Sequence, residues 1–212
     1  VAKGVSTRDQ RMRQMLIQES ARIIAEEGVK DYFLAKRKAA DRLGASATQN
    51  MPGNQEIQEA VLEYQRLFLA DEQRGALERL RRGALEAMAF FERFRPRLVG
   101  AVLDGSASPW SEITLHVFAD TSEEVAVFLL DAGIPFETTE RRLRIARDTH
   151  HAFPAFTFMA GEQRVELTVF TAGAPRRPPL SQIDGQPMER ANREHVEQLL
   201  AQSRDRWSAA AP

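Results

Sequence analysis

The chain has 212 residues, 43% of them hydrophobic, and 29 Lys and Arg against 30 Asp and Glu give a net charge of −1. That apolar share supports a packed core and excludes a disordered chain, while no apolar run approaches the ~18 residues of a membrane span. The absence of cysteine excludes disulfides, thiolate metal sites and cysteine nucleophiles, and makes the cytoplasm the expected location.

The near-zero charge hides a mild polarity. Residues 1–97 carry 18 basic against 14 acidic side chains, and the remainder 11 against 16. That is far from the footprint of a nucleic-acid-binding tail. Residues 1–97 read as helical throughout. Ser6 or Thr7 is a candidate cap for a helix from about Arg8 to Glu27, with Met12, Leu16, Ile23 and Ile24 on its inner stripe and Gly28 as its stop. A second helix is expected from about Asp31 to Leu43, ending at Gly44. Pro52 and Gly53 close a loop. Ile57, Val61, Tyr64 and Phe68 then recur at helical spacing. A break is expected near Gly75, and Leu77, Leu80, Ala84, Ala87 and Phe91 continue the pattern until Pro96.

From Leu98 the period changes. The apolar run Leu98–Leu103 reads as a strand covered on both faces, and Glu112–Phe118 alternates as a half-covered strand. Ser122 is a candidate cap for a helix through about Asp131, with Val125, Leu129 and Leu130 inward and Gly133 as its stop. Ile134–Thr138 and Arg142–Ile145 are short strands around a turn. His150 and His151 fall in a loop. Ala155–Met159 and Arg164–Phe170 form a hairpin through Ala160–Gln163. Ala174–Pro179 is a proline-rich strap, Glu189–Gln202 a final helix, and Ser208–Pro212 a frayed tail. The fold class is therefore α+β: an N-terminal helical domain over residues 1–83, then a small mixed-sheet domain over 84–212 with flanking helices.

The chemistry-bearing stretch is Leu98–Phe118. A strand leads to the turn Gly105-Ser106, and the next strand carries Glu112, Thr114 and His116 on one face, because strand side chains alternate. Glu166 lies in Val165-Glu-Leu-Thr-Val169, with Arg164 and Thr168 on its face. Glycine lets backbone approach a phosphate closely, and serine adds a hydroxyl donor. Divalent magnesium takes one or two carboxylates together with phosphate oxygens.

A Gly-Ser turn opening onto a strand-borne acid resembles the nucleotidyltransferase fold of the polymerase-beta type. The resemblance covers residues ~85–170. It implies Gly105 and Ser106 on the triphosphate of an NTP, Glu112 and Glu166 on Mg²⁺ or Mn²⁺, and transfer of a nucleotidyl group to an RNA, DNA or protein acceptor. Thr114 stands where the family carries a second acid, so the catalytic set would be Glu112, Thr114 and Glu166. His116 is a candidate substitute ligand, although imidazole suits transition metals better than Mg²⁺. The basic residue usual after the turn is missing, and Trp110 either stacks on a base or plugs the fold. The same three positions, Glu112, Thr114 and His116, would otherwise be the solvated face of an edge strand.

A second resemblance lies in the helical half. Arg22-Ile-Ile-Ala-Glu-Glu-Gly28 followed by Lys36-Arg-Lys-Ala-Ala-Asp-Arg-Leu-Gly-Ala-Ser46 looks like the opening of a TetR-type helix-turn-helix repressor, which would offer its next helix to DNA. Pro52 leaves room there for barely one helical turn. Lys36-Arg37-Lys38 is the best basic cluster for phosphate. The alternative function is accordingly a non-catalytic regulatory or nucleic-acid-binding module.

Overall fold

The computed structural model describes residues 7–46, 48, 50–175 and 177–208. The expected cap Ser6 and the tail beyond Ser208 lie outside them. Among the described residues the chain is α+β, with seven α-helices and one five-stranded mixed sheet. None of these helices is long and apolar enough to cross a membrane. The chain divides into two compact units. One runs to Gln73 and takes in Gln182–Asp184; the other comprises Arg74–Ser181 and Gly185 onward.

The helical unit is built on α1 (Thr7–Glu27), α2 (Tyr32–Arg42) and α3 (Asn54–Phe68). Gly28 ends α1 at φ +66°, a left-handed conformation that costs glycine little. Asp31 caps α2 through its carboxylate, which accepts from Leu34 N at 2.9 Å. Leu16 and Ile23 of α1 pack on Ala35, Ala39 and Ala40 of α2. Ile17 and Ala21 pack on Ile57, Ala60 and Val61 of α3. Phe68, expected on the inner stripe, is instead 68% exposed and tilts against Tyr64. Between α2 and α3 the described residues form turns and extended chain, with no helix.

Glu56 ties the start of α3 to α1. Its carboxylate accepts from Gly53 N at 2.7 Å and meets Arg13 Nη2 at 2.6 Å. This is the acid half of a capping box, since Gly53 has no side chain to complete it. The Gly53 amide first, then Arg13, hold Glu56 below the ordinary carboxylate value. A lowered folded-state value means stability that is present above the unfolded value and lost as pH falls through the folded one. Glu56→Gln, which keeps an acceptor for the Gly53 amide but drops the charge that Arg13 meets, should cost about 0.5 kcal/mol at neutral pH. The gap should narrow as pH falls through the folded-state value of Glu56, and urea melts of both proteins from neutral into the acid range measure it.

α4 (Ala70–Phe90) runs unbroken through Gly75 and Gly83. The expected break lies instead at Leu69, because a single glycine in a long helix costs only ~1 kcal/mol. The sheet runs in the order β1 (Arg97–Val99), β2 (Ile113–Phe118), β5 (Gln163–Phe170), β4 (Thr149–Ala160), β3 (Glu137–Ala146). β2 and β5 are parallel; the other neighbours are antiparallel. One face carries Ile113, Leu115, Val117, Val165, Leu167 and Val169. It is covered by Leu80, Ala84, Ala87 and Phe91 of α4 and its end, by Val125 and Leu129 of α6 (Ser122–Asp131), and by Val196 of α7 (Arg193–Ser208). Each such large apolar side chain contributes about 1.5–3 kcal/mol by leaving water. Leu130, expected inward, is 65% exposed.

Three expectations change here. The run Leu98–Leu103 is not one strand. β1 stops at Val99, Gly100 turns the chain at φ +73° and ψ −155°, and a one-turn helix α5 (Ala101–Asp104) follows. That backbone region is essentially closed to other residues. The two short strands proposed around Glu140 are one ten-residue edge strand, β3. His150 and His151 lie on β4, opposite Arg144 and Leu143. The chain that follows the proline-rich passage touches both sheet edges: Leu180 N donates to Arg144 O of β3, and Ala191 pairs with Leu98 of β1.

Candidate functional site

The sheet face away from the helical layer carries the polar residues. Alternation puts Thr114, His116 and Phe118 of β2 on it, with Glu166, Thr168 and Phe170 of β5. Register sets Thr114 directly beside Glu166, and His116 beside Thr168. Thr157 of β4 opposes Glu166 from the other side. β2 is an inner strand, so the solvated-edge reading of Glu112, Thr114 and His116 does not hold. Glu166, His116, Thr168 and Thr157 are all buried.

Glu112 and Glu166 come together through an arginine. Arg141 of β3 places its Nε 2.7 Å from Glu166 Oε1. Its Nη2 lies 2.7 Å from Glu166 Oε2 and 3.3 Å from Glu112 Oε1. The remaining oxygen of Glu112 meets Arg164 Nε at 3.5 Å. Every carboxylate oxygen of the pair thus faces a guanidinium. β3 and β5 are separated by β4, so Arg141 reaches across about 10 Å of sheet; the small Ala155 lies on its diagonal path. Burial opposes the charge of Arg141, but its hydrogen bond to Glu166 and the charges of both glutamates outweigh it and raise its pKa above the ordinary arginine value. The two acids are 10% and 7% exposed at their side chains, Arg141 45%.

His116 joins a different cluster. Its Nδ1 accepts from Arg190 Nε at 3.0 Å, and its ring tilts on Phe170 at 4.7 Å. Desolvation first, and then the Arg190 charge, lower its pKa to about 3, so it is neutral imidazole at any ordinary pH. The lone pair a metal would take is the one Arg190 occupies.

Gly105 and Ser106 are not at the end of a strand. Gly105 is the left-handed C-cap of α5, at φ +89°. Ser106 Oγ and N both bind Asp104 Oδ1, at 2.6 and 2.9 Å. The position expected for that turn, directly after β1, belongs to Gly100. Trp110 is 72% exposed, so it plugs nothing. Beneath α5, the buried Arg81 donates from Nε to Val102 O at 3.1 Å and from Nη2 to Leu103 O at 3.2 Å. A cation on the last carbonyls of a helix offsets their partial negative charge.

The metal that the resemblance implies meets a poor donor set. Mg²⁺ and Mn²⁺ need several free hard oxygens. Thr114 supplies no charge, the four acid oxygens face guanidinium groups, and among the described residues no three His, Asp or Glu gather as metal ligands. Arg141, Gly100 and Arg190 were not among the expected site residues. Arg141 was hidden because it fell in a supposed turn; read as a strand, Glu137-Thr-Thr-Glu-Arg141 puts it on the face of Glu137 and Thr139.

Comparison with protein-family models, with curated proteins and with solved structures found no match for this chain.

Proposed function

We propose that the sheet unit is a non-catalytic, nucleotidyltransferase-like module, and that the protein works by binding rather than by transferring a nucleotidyl group. The observation that carries this is Arg141, whose guanidinium lies between Glu112 and Glu166. It supplies the positive charge that a divalent cation would bring, in a form that cannot polarise a phosphoryl oxygen as a Lewis acid does. The substitution at Thr114 supports the same reading, since it removes a metal ligand on the strand that would hold it. The lack of cysteine supports a cytoplasmic setting.

The nucleic-acid alternative draws less support. Lys36 Nζ donates to Asn54 Oδ1 at 2.9 Å, and Lys38 pairs with Glu27 at 2.9 Å. Only Arg37 of the basic trio is exposed without such a partner. One basic side chain makes a weak phosphate footprint.

Incubation with each α-labelled NTP, Mg²⁺ or Mn²⁺, and total RNA, DNA or cell protein as acceptor tests the proposal. No transfer of label is expected. Transfer that Glu112→Gln or Glu166→Gln abolishes would overturn it.

A further inference from the structure

Arginines elsewhere on this sheet face have carboxylate partners: Arg141 with Glu112 and Glu166, Arg164 with Glu112 and Glu137. Arg97 and Arg190 do not. The one side-chain donation of Arg97 goes to the neighbouring Pro96 O, at 3.2 Å. Arg190 gives its Nε–H to His116 and lies over the rings of Phe170 and Phe118, with Cζ 4.5 and 5.3 Å from their centroids. Its Nη2 is buried with no acceptor. Register places Arg97 opposite His116, the same residue that Arg190 bonds, and the Arg97 charge is felt at Arg190.

We propose that Arg97 and Arg190 form a binding site for a phosphate group, either inorganic phosphate or the phosphomonoester of a small molecule. The arrangement is preorganised. Arg190 follows the Leu180–Pro187 bridge and directly precedes Ala191, which the bridge to Leu98 fixes. His116 and the two phenylalanines hold its plane, and Phe153 backs Phe170 at 4.4 Å. A guanidinium held flat presents its N–H groups in fixed directions, and an oxyanion that reached Nη2 would supply the acceptor it lacks. Neutral His116 adds no opposing charge, and the described residues set no acid against either arginine. The mutual repulsion of the two cations and the burial of Arg190 are costs in the unliganded protein, and an oxyanion would relieve both. Consistent with this, burial first and the Arg97 charge second push Arg190 below the ordinary arginine value.

This site uses other residues than the Glu112–Arg141–Glu166 cluster and needs no metal, so it stands or falls apart from the reading above. Thermal melts and NMR of the His116 ring nitrogens, with inorganic phosphate and separately with AMP at constant ionic strength in KCl, test it. The result expected is a saturable rise in Tm together with a shift of the His116 signal. Arg97→Gln, at a half-exposed position that keeps the fold, should weaken the response about tenfold, the value of one lost charge-assisted hydrogen bond. Arg82→Gln, which removes an exposed arginine of α4, should leave it unchanged. Stronger binding of AMP than of phosphate would identify an organic phosphate as the ligand, and the reverse would identify the free ion. No saturable response up to tens of millimolar, or an equal response from Arg97→Gln, would overturn the proposal.

Discussion

Acidification from pH 7 to pH 5 should remove about 2 kcal/mol of stability through His116 alone. The imidazole is 1% exposed and its pKa is lowered to about 3 by desolvation and by Arg190, against an unfolded value of about 6.5. A base with a lowered folded-state value binds fewer protons folded than unfolded. Protonation therefore favours the unfolded chain. Stability is level above the unfolded value and falls by up to about 1.4 kcal/mol per pH unit on the way down toward the folded one. His116→Gln removes this titration while keeping an oxygen that can accept from Arg190 Nε. Urea unfolding of both proteins across this range isolates the effect, because the carboxylates common to them cancel in the difference. The gap between wild type and variant should change by about 2 kcal/mol; parallel curves would show that His116 is not held neutral by burial.

Arg141→Gln should destabilise the protein by about 2 kcal/mol at neutral pH. Breaking a fully buried ion pair by removing one partner costs about 3–5 kcal/mol, and the 45% exposure of Arg141 reduces that. The variant leaves Glu112 and Glu166 adjacent, with Arg164 still 3.5 Å from Glu112. The two carboxylates then resemble the site that a divalent ion prefers, and millimolar MnCl₂ should restore much of the loss. A ligand at ten times its Kd returns about 1.4 kcal/mol. Wild type should show no such rescue. Equal effects of manganese on the melting of both proteins would argue that the metal acts elsewhere.

Much of the architecture was legible in the chain because its punctuation is local. Gly28, Gly44 and Asp31 mark helix ends by their own backbone or side-chain chemistry, and the structure uses each as expected. The helix expected after a Ser122 cap is there, one residue longer at its start, with Thr121 as the N-cap. β3 was obscured because an exposed edge strand rich in Glu and Arg has no apolar alternation to betray it. The run Leu98–Leu103 was ambiguous for the opposite reason: six apolar or small residues fit a buried strand and a buried helical turn equally, and the positive φ of Gly100 decides between them.

At the site, alternation put Glu112, Thr114 and His116 on one surface, only the resemblance brought Glu166 to them, and the parallel pairing of β2 with β5 makes Thr114 and Glu166 neighbours. What alternation could not supply was the partner from two strands away. Arg141 meets the acids only because β4 inserts between β3 and β5 with alanine at position 155. His116 was misplaced for a similar reason. Its spacing fits a ligand set, but its ring is claimed by Arg190, which is 74 residues distant in sequence.

The central claim is that a guanidinium, not a divalent cation, balances Glu112 and Glu166. Electron paramagnetic resonance of Mn²⁺ titrated with the wild-type protein, with and without ATP, tests it most directly. The free-ion signal should match the protein-free control at every ratio. A signal quenched at one ion per chain, and recovered when Glu112 and Glu166 are both changed to Gln, would contradict it.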